Sequence, residues 1–316
     1  MTCHNCRIDC RTYGKNRNGS QRFRCTQCSK TFTEPRTRPY GNMRLDFDRG
    51  ILPLEILVEG GSIRSAERIS GVPRNTIIDL LLAAGENAER FLETRLRNVP
   101  ATDVQADEIW TYVGKKEGHK THGDGPYLGD AWCFIGIERN TKLVLGFELG
   151  KRTVTCATRF ITKLANATDE NQRFQLTTDG LNAYPYPVGN ILGDRVDYAQ
   201  LVKIYYQDSP EAQRRYSPAR LAEAVATEVY GGPDKRKICT SHIERQNGSL
   251  RQWCKRLTRL TYAFSKKWEN LRAALALHFA YYNFCRVHRT LKTSPAVAAG
   301  LTDHVWTLGE LLMEAA

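Results

Sequence analysis

Three acidic residues stand in contexts suited to phosphoryl-transfer chemistry: Asp107 in VQADEIWTYVG, Asp179 in FQLTTDGLNAY and Glu244 in SHIERQNGSLRQW. The first two sit on or at the end of apolar, strand-like runs, and the third opens a segment that reads as a helix. Hard divalent cations take oxygen ligands, and two of them about 3.5–4 Å apart clamp the attacking and leaving oxygens of an in-line displacement. Two carboxylates from strands and one from a helix are what such a pair of ions, Mg²⁺ or Mn²⁺, requires in an active site. Alternation separates Asp107 from its neighbour: with Asp107 turned toward the site, Glu108 points to the opposite face. Gly180, next to Asp179, permits close approach of backbone to a substrate. His242 and Asn247 flank Glu244 and are candidates to orient a scissile phosphate or a ligand water. The plainer readings are an Asp-Gly turn at 179–180 and, at Glu244, a charge that simply suits a helix N-terminus.

A second chemical cluster lies at the N-terminus. Cys3-x-x-Cys6 and Cys25-x-x-Cys28 are separated by 18 residues that include GKNRNGSQRFR. Paired knuckles of this spacing fit one structural Zn²⁺, which takes four thiolates in a closed tetrahedron. Cys10 is a spare thiol, and the cysteines at 133, 156, 239, 254 and 285 read as small buried hydrophobes. MTCHNCRIDC has no signal-peptide core and no run reaches the 18 apolar residues of a membrane span. The expectation is a cytoplasmic protein, nucleoid-associated in a bacterium, with no membrane partner.

The net charge of +12 is unevenly spread. Residues 1–45 carry a net of +8 and residues 235–292 a net of +12, which leaves −8 for the rest. Basic blocks on either side of an acidic middle suit a protein that grips double-stranded DNA and keeps metal-binding carboxylates between. Arg22 and Arg24 lie in the basic hairpin of the cysteine segment. Arg251, Lys255, Arg256 and Arg259 follow Glu244 and would contact the DNA backbone, which positions a duplex without reading it.

Several elements must position these residues. Residues 1–39 form the zinc-ribbon-like module. Residues 40–98 read as a helix-turn-helix domain, with Ser70-Gly71-Val72-Pro73 as its turn and Arg74, Asn75 and Thr76 opening a recognition helix. From about 99 to 316 the pattern is α/β: three strands, a helix over TVTCATRFITKLANAT, then a strand ending in Asp179. That is the order of a ribonuclease-H-like core. Residues about 181–235 read as an insertion, and a helix from Ser241 to about Arg259 carries Glu244. Gly248 within that helix is locally unfavourable by about 1 kcal/mol relative to Ala.

Taken in order, the cysteine knuckles with QRFRC, the DEIWTYVG strand, LTTDGLNAY, HIERQN with its basic sequel, and YYNFCRVHRTL followed by PAVAAGL resemble DDE transposases of bacterial insertion sequences, most closely the IS1 family. The resemblance spans nearly the whole chain. It implies a ribonuclease-H-like catalytic domain, dependence on Mg²⁺, binding of terminal inverted repeats, and transposition of a mobile element. Matched by motif, the catalytic triad falls on Asp107, Asp179 and Glu244. Joint cutting of two element ends implies at least a homodimer. A ribonuclease-H-like nuclease without strand transfer, or an inactive DNA-binding regulator, are the alternatives.

Overall fold

A computed structural model describes residues 1–17, 19–33, 39–41, 43–206 and 221–316, and the chain divides into two units, Met1–Arg38 and Pro39–Ala316. In the first unit, β1 (Cys10–Lys15), β2 (Gln21–Cys25) and β3 (Thr31–Thr33) form an antiparallel sheet in that order. Gly19, at φ 81°, turns the chain between β1 and β2 in a conformation that a side chain would strain. Among the described residues of this unit only Cys3, Ser20 and Cys25 are buried. Three short strands with no apolar core need a staple, and four cysteines of this unit are grouped closely enough to hold a metal ion.

The second unit begins with α1 (Phe47–Val58), α2 (Ile63–Ser70) and α3 (Arg74–Arg95). The Ser62 hydroxyl accepts from the Ser65 amide at 3.0 Å to start α2, and Gly71 at φ 68° ends it. Pro73 then leads into α3. The helices of 40–98 are not a separate body: they belong to the same unit as the sheet. The reason is the close packing of α3 on α6 (Trp268–Phe284), where a side chain at Gly85 would lie 2.4 Å from the Ala273 carbonyl oxygen. α7 (Leu308–Glu314), opened by a capping box between Thr307 and Glu310, closes the chain against this cluster.

The sheet has six strands: β4 (Asp103–Val113), β5 (Gly129–Glu138), β6 (Val144–Gly150), β7 (Phe174–Asp179), β8 (Val196–Tyr205) and β9 (Leu221–Tyr230). Their order is β6-β5-β4-β7-β8-β9, with β7 parallel to both β4 and β8 and the other pairs antiparallel. β4 and β5 are almost continuously buried because helices cover both faces. On one face lies α4 (Val154–Ala167), the crossover between β6 and β7, whose Leu164 presses on Gly136. On the other lies α5 (Ser241–Trp253).

Two sequence expectations are corrected here. The stretch read as an insertion supplies β8, a full member of the sheet, together with its antiparallel partner β9. The alternating VDYAQLVKIY carries that signal, and pairing beside β7 buries Val196, Tyr198 and Ala199. α5 also stops at Trp253 and does not run to about Arg259. The Thr258 hydroxyl donates to the Arg251 carbonyl at 2.8 Å, and Arg286 stacks on Trp253 at 4.0 Å, so a last-turn carbonyl and the closing aromatic ring find partners outside the helix.

Candidate active site

β4 and β7 run parallel, and their register brings Ala106 beside Thr178, so Asp107 and Asp179 follow as neighbours at the end of the shared ladder. One oxygen each from Asp107, Glu108 and Asp179 lies within 4.8 Å of the others. Asp107 faces α5: its Oδ2 accepts from Asn247 Nδ2 at 2.9 Å, and its Oδ1 accepts from the Glu108 amide at 2.8 Å. Asp179 Oδ1 accepts from the Leu181 amide at 3.1 Å.

Glu108 does leave the strand toward the opposite face, where the Tyr184 hydroxyl donates to it at 3.1 Å and Arg152 Nε donates at 2.6 Å. Because β7 ends at Asp179, no further strand residue screens that face, and the Glu108 carboxylate reaches the cluster. Alternation gave the direction of the side chain but not its reach. Arg152 also approaches Asp179 Oδ2 at 3.4 Å and lies over Trp132 at 4.8 Å, so one guanidinium bridges two of the three acids.

Burial dominates the electrostatics. It pushes Asp107 up to about 7, with the Asp179 and Glu108 charges adding to the effect and Glu244 contributing less. Glu108 and Asp179 are raised as well, burial again being the largest cause. Three crowded carboxylates that resist ionisation are a donor set suited to hard cations, whose charge would remove the repulsion.

Glu244 stands outside the 4.8 Å group but lines the same cavity, of about 570 Å³, with Asp107 and Asp179. Its Oε1 accepts from Lys203 Nζ and from the Thr240 hydroxyl. What holds α5 there is Gln105, fully buried two residues before Asp107 on the same face. Its Oε1 accepts from the amides of His242 at 3.0 Å and Ile243 at 3.2 Å, fixing the first turn of α5. Sequence reasoning missed Gln105, Arg152 and Lys203. A glutamine two residues before Asp107 on the same strand, in phase with it, was the available signal.

The remaining expected residues divide. Asn247 reaches Asp107, whereas His242 turns its Nδ1 to within 3.2 Å of Lys142 Nζ. Arg251 donates to the carbonyls of Leu257 at 3.0 Å and Trp110 at 3.1 Å, and Arg256 donates to the Ser265 hydroxyl at 2.9 Å. Lys255 is half-buried, while Arg259, Arg74 and Asn75 are exposed and Thr76 is half-buried. In the N-terminal unit, Arg22 and Arg24 each lie over Tyr13, at 5.4 and 5.2 Å.

In that unit the sulfurs of Cys3, Cys6, Cys25 and Cys28 lie within 4.8 Å of one another, with Cys3 and Cys28 at 3.6 Å. Four sulfurs at about 2.3 Å from a tetrahedral Zn²⁺ stand about 3.8 Å apart, so the set fits that ion. The amides of Gln27 and Cys28 both point at Cys25 Sγ at 3.4 Å and lower its pKa to about 6, favouring the thiolate. Cys10 is not part of the group. Cys133, Cys156 and Cys254 are buried, and Cys239 and Cys285 are half-buried.

No protein-family model matches the chain, and no curated protein matches it. Among solved structures, the piggyBac transposase synaptic complex with hairpin DNA aligns over 85% of this chain and 69% of that one, at 11% identity and a TM-score of 0.38. The Mos1 strand transfer complex aligns over 52% of this chain and 60% of that one, at 12% identity and a TM-score of 0.22. Both are DNA transposases. Likenesses this slight carry no argument, and the site's chemistry is read from its own geometry. No helix among the described residues is long and apolar enough to cross a membrane.

Proposed function

We propose that the chain is a metal-dependent enzyme that cleaves and transfers DNA strands, a DDE transposase with a ribonuclease-H-like core. One observation carries the reading: Asp107 and Glu108 of β4 converge with Asp179 at the end of the parallel strand β7, and Glu244 shares the cavity of Asp107 and Asp179 from a helix. The motif resemblance to insertion-sequence transposases of the IS1 type supports the finer assignment, and the +12 charge suits a polyanionic substrate.

Asp107 and Asp179 would hold two Mg²⁺ or Mn²⁺ ions, with Glu244 completing the second site and Glu108 available to the first. Bound there, such ions activate an attacking oxygen and stabilise a leaving one. The chain's own residues do the positioning. Asn247 and the Glu108 amide fix both oxygens of Asp107, and Gln105 fixes the helix that brings Glu244. Arg152 and Lys203 neutralise the acids while no cation is bound and lie where phosphate oxygens would arrive. Zn²⁺ in the four-cysteine module is structural. α2 and α3 present Arg74, Asn75 and Thr76 to the DNA of the element ends, Arg22 and Arg24 add backbone contacts, and a homodimer or larger assembly pairs two ends.

The test is cleavage and joining of a labelled duplex bearing the sequences that flank the coding region, with and without Mg²⁺, by the intact chain and by Glu244→Gln. Nicked and joined products that vanish in the variant support the proposal. Cleavage without joining indicates a nuclease, and binding without chemistry indicates a regulator.

A further inference from the structure

The loop Thr258–Phe264, between α5 and α6, carries at its tip the two most exposed large apolar side chains among the described residues, Leu260 at 81% and Tyr262 at 101%. Leu260 also sits at φ 56°, a left-handed backbone that an L side chain rarely takes. The loop is nevertheless pinned at both ends. Thr258 Oγ1 donates to the Arg251 carbonyl at 2.8 Å, Arg256 to Ser265 Oγ at 2.9 Å, and the Gly114 amide to the Ser265 carbonyl at 2.8 Å. A firm frame thus holds an apolar tip in water with a strained backbone, where Gly or Asn would relieve both penalties. Observed strain of this kind points to function.

Beside the tip runs a groove of about 520 Å³. Trp110, Tyr112 and Phe264 line it as a chain of rings, with centroids 5.8 and 4.8 Å apart. Every charged side chain along it is a lysine or an arginine. Trp110 and Tyr112 share the Glu108 face of β4, two and four residues beyond it, about 7 and 14 Å along the strand at 3.4 Å per residue. A DNA strand advances about 3.4 Å per nucleotide, so the groove lies about two to four nucleotides from a phosphate held at the acidic cluster beside Glu108.

We infer that this groove is a nucleobase site: Leu260 and Tyr262 enter duplex DNA as a wedge, and the displaced base stacks on Trp110, Tyr112 and Phe264. Apolar wedges unstack base steps, aromatic faces accept any base, and a cationic rim with no acid selects a polyanion over an apolar peptide. The inference rests on the reading of the chain as a DNA-processing enzyme.

The experiment uses the intact chain and duplexes of the flanking sequence with 2-aminopurine placed singly at successive positions inward from the end. Binding is followed in buffer without Mg²⁺, and cleavage is followed separately with it. One or two positions should brighten several-fold on binding. The fully exposed Tyr262 allows Tyr262→Ala without disturbing the fold, and that variant should bind but not brighten the probe. It should also cut a paired end about tenfold more slowly and recover on an end mismatched at the bright position, where unstacking is already done. No bright position in bound DNA, or full brightening with Tyr262→Ala, overturns the inference. Brightening without cleavage would leave the wedge standing while the catalytic reading fell, and cleavage without brightening would do the reverse.

Discussion

Asp107→Asn should stabilise the metal-free protein above pH 7 while abolishing its chemistry. Burial and the neighbouring carboxylates hold Asp107 at about 7, against an ordinary value of 3.8. The folded chain therefore binds more protons than the unfolded chain between those values, and stability falls as pH rises through that window. About three pKa units correspond to about 4 kcal/mol at 1.36 kcal/mol each, an upper bound because Glu108 and Asp179 share the repulsion. A neutral amide escapes the penalty, so a gain of about 2–4 kcal/mol is expected at pH 8, shrinking below about 1 kcal/mol at pH 4. The local hydrogen bonds survive the change. The Glu108 amide keeps an oxygen acceptor, and Asn247, whose Oδ1 is buried without a partner, can turn over to accept from the new amide. Urea unfolding of both proteins in Mg²⁺-free buffer at the two pH values is the assay. Mg²⁺ should stabilise the natural protein by about 2.7 kcal/mol at a hundredfold excess over its dissociation constant, and the variant far less. A variant less stable than the natural protein at pH 8, or a gap that does not change with pH, would refute the reasoning.

Gln105→Ala leaves two amides at the start of α5 without their acceptor, and at about 1–3 kcal/mol each the loss should total about 2–6 kcal/mol in denaturant unfolding. A change under about 0.5 kcal/mol would mean that α5 does not depend on it. Cys25→Ser should lose bound zinc, measured by metal analysis, and unfold Met1–Arg38 while the melting of Pro39–Ala316 stays in place; zinc retained at full occupancy counts against the four-cysteine site. Leu260→Gly should raise stability by about 1 kcal/mol by releasing the left-handed strain at φ 56°. A loss of stability there would show that Leu260 packs in the native protein.

The sequence made the three separated acids legible because each lies in a distinctive context, and the structure brings Asp107 and Asp179 together and puts Glu244 on their cavity. Glu108 was hidden because a period of two tells which face a side chain leaves from, not where the neighbouring strand stops. The end of α5 was hidden for a similar reason. Leu257 continues the apolar period, but the partners that end the helix, Thr258 and Arg286, act through contacts that no local pattern displays. β8 was readable in VDYAQLVKIY, yet it lay inside a stretch treated as filler between the second and third acids. The helices before Asp103 were legible as helices from the Ser70-Gly71-Val72-Pro73 turn between them. Their fusion with the sheet depends on Gly85 meeting the Ala273 backbone, 188 positions away.

The central claim is that Asp179 binds the ions that do the chemistry, and a metal switch tests it most directly. Asp179→Cys replaces a hard oxygen ligand by a soft sulfur, which favours Mn²⁺ over Mg²⁺. The variant should fail to cut flanking-sequence DNA in Mg²⁺ and regain cutting in Mn²⁺, with Asp107→Asn silent in both. Undiminished cutting by Asp179→Cys in Mg²⁺ would contradict the account, because the carboxylate would then have no part in holding the metal.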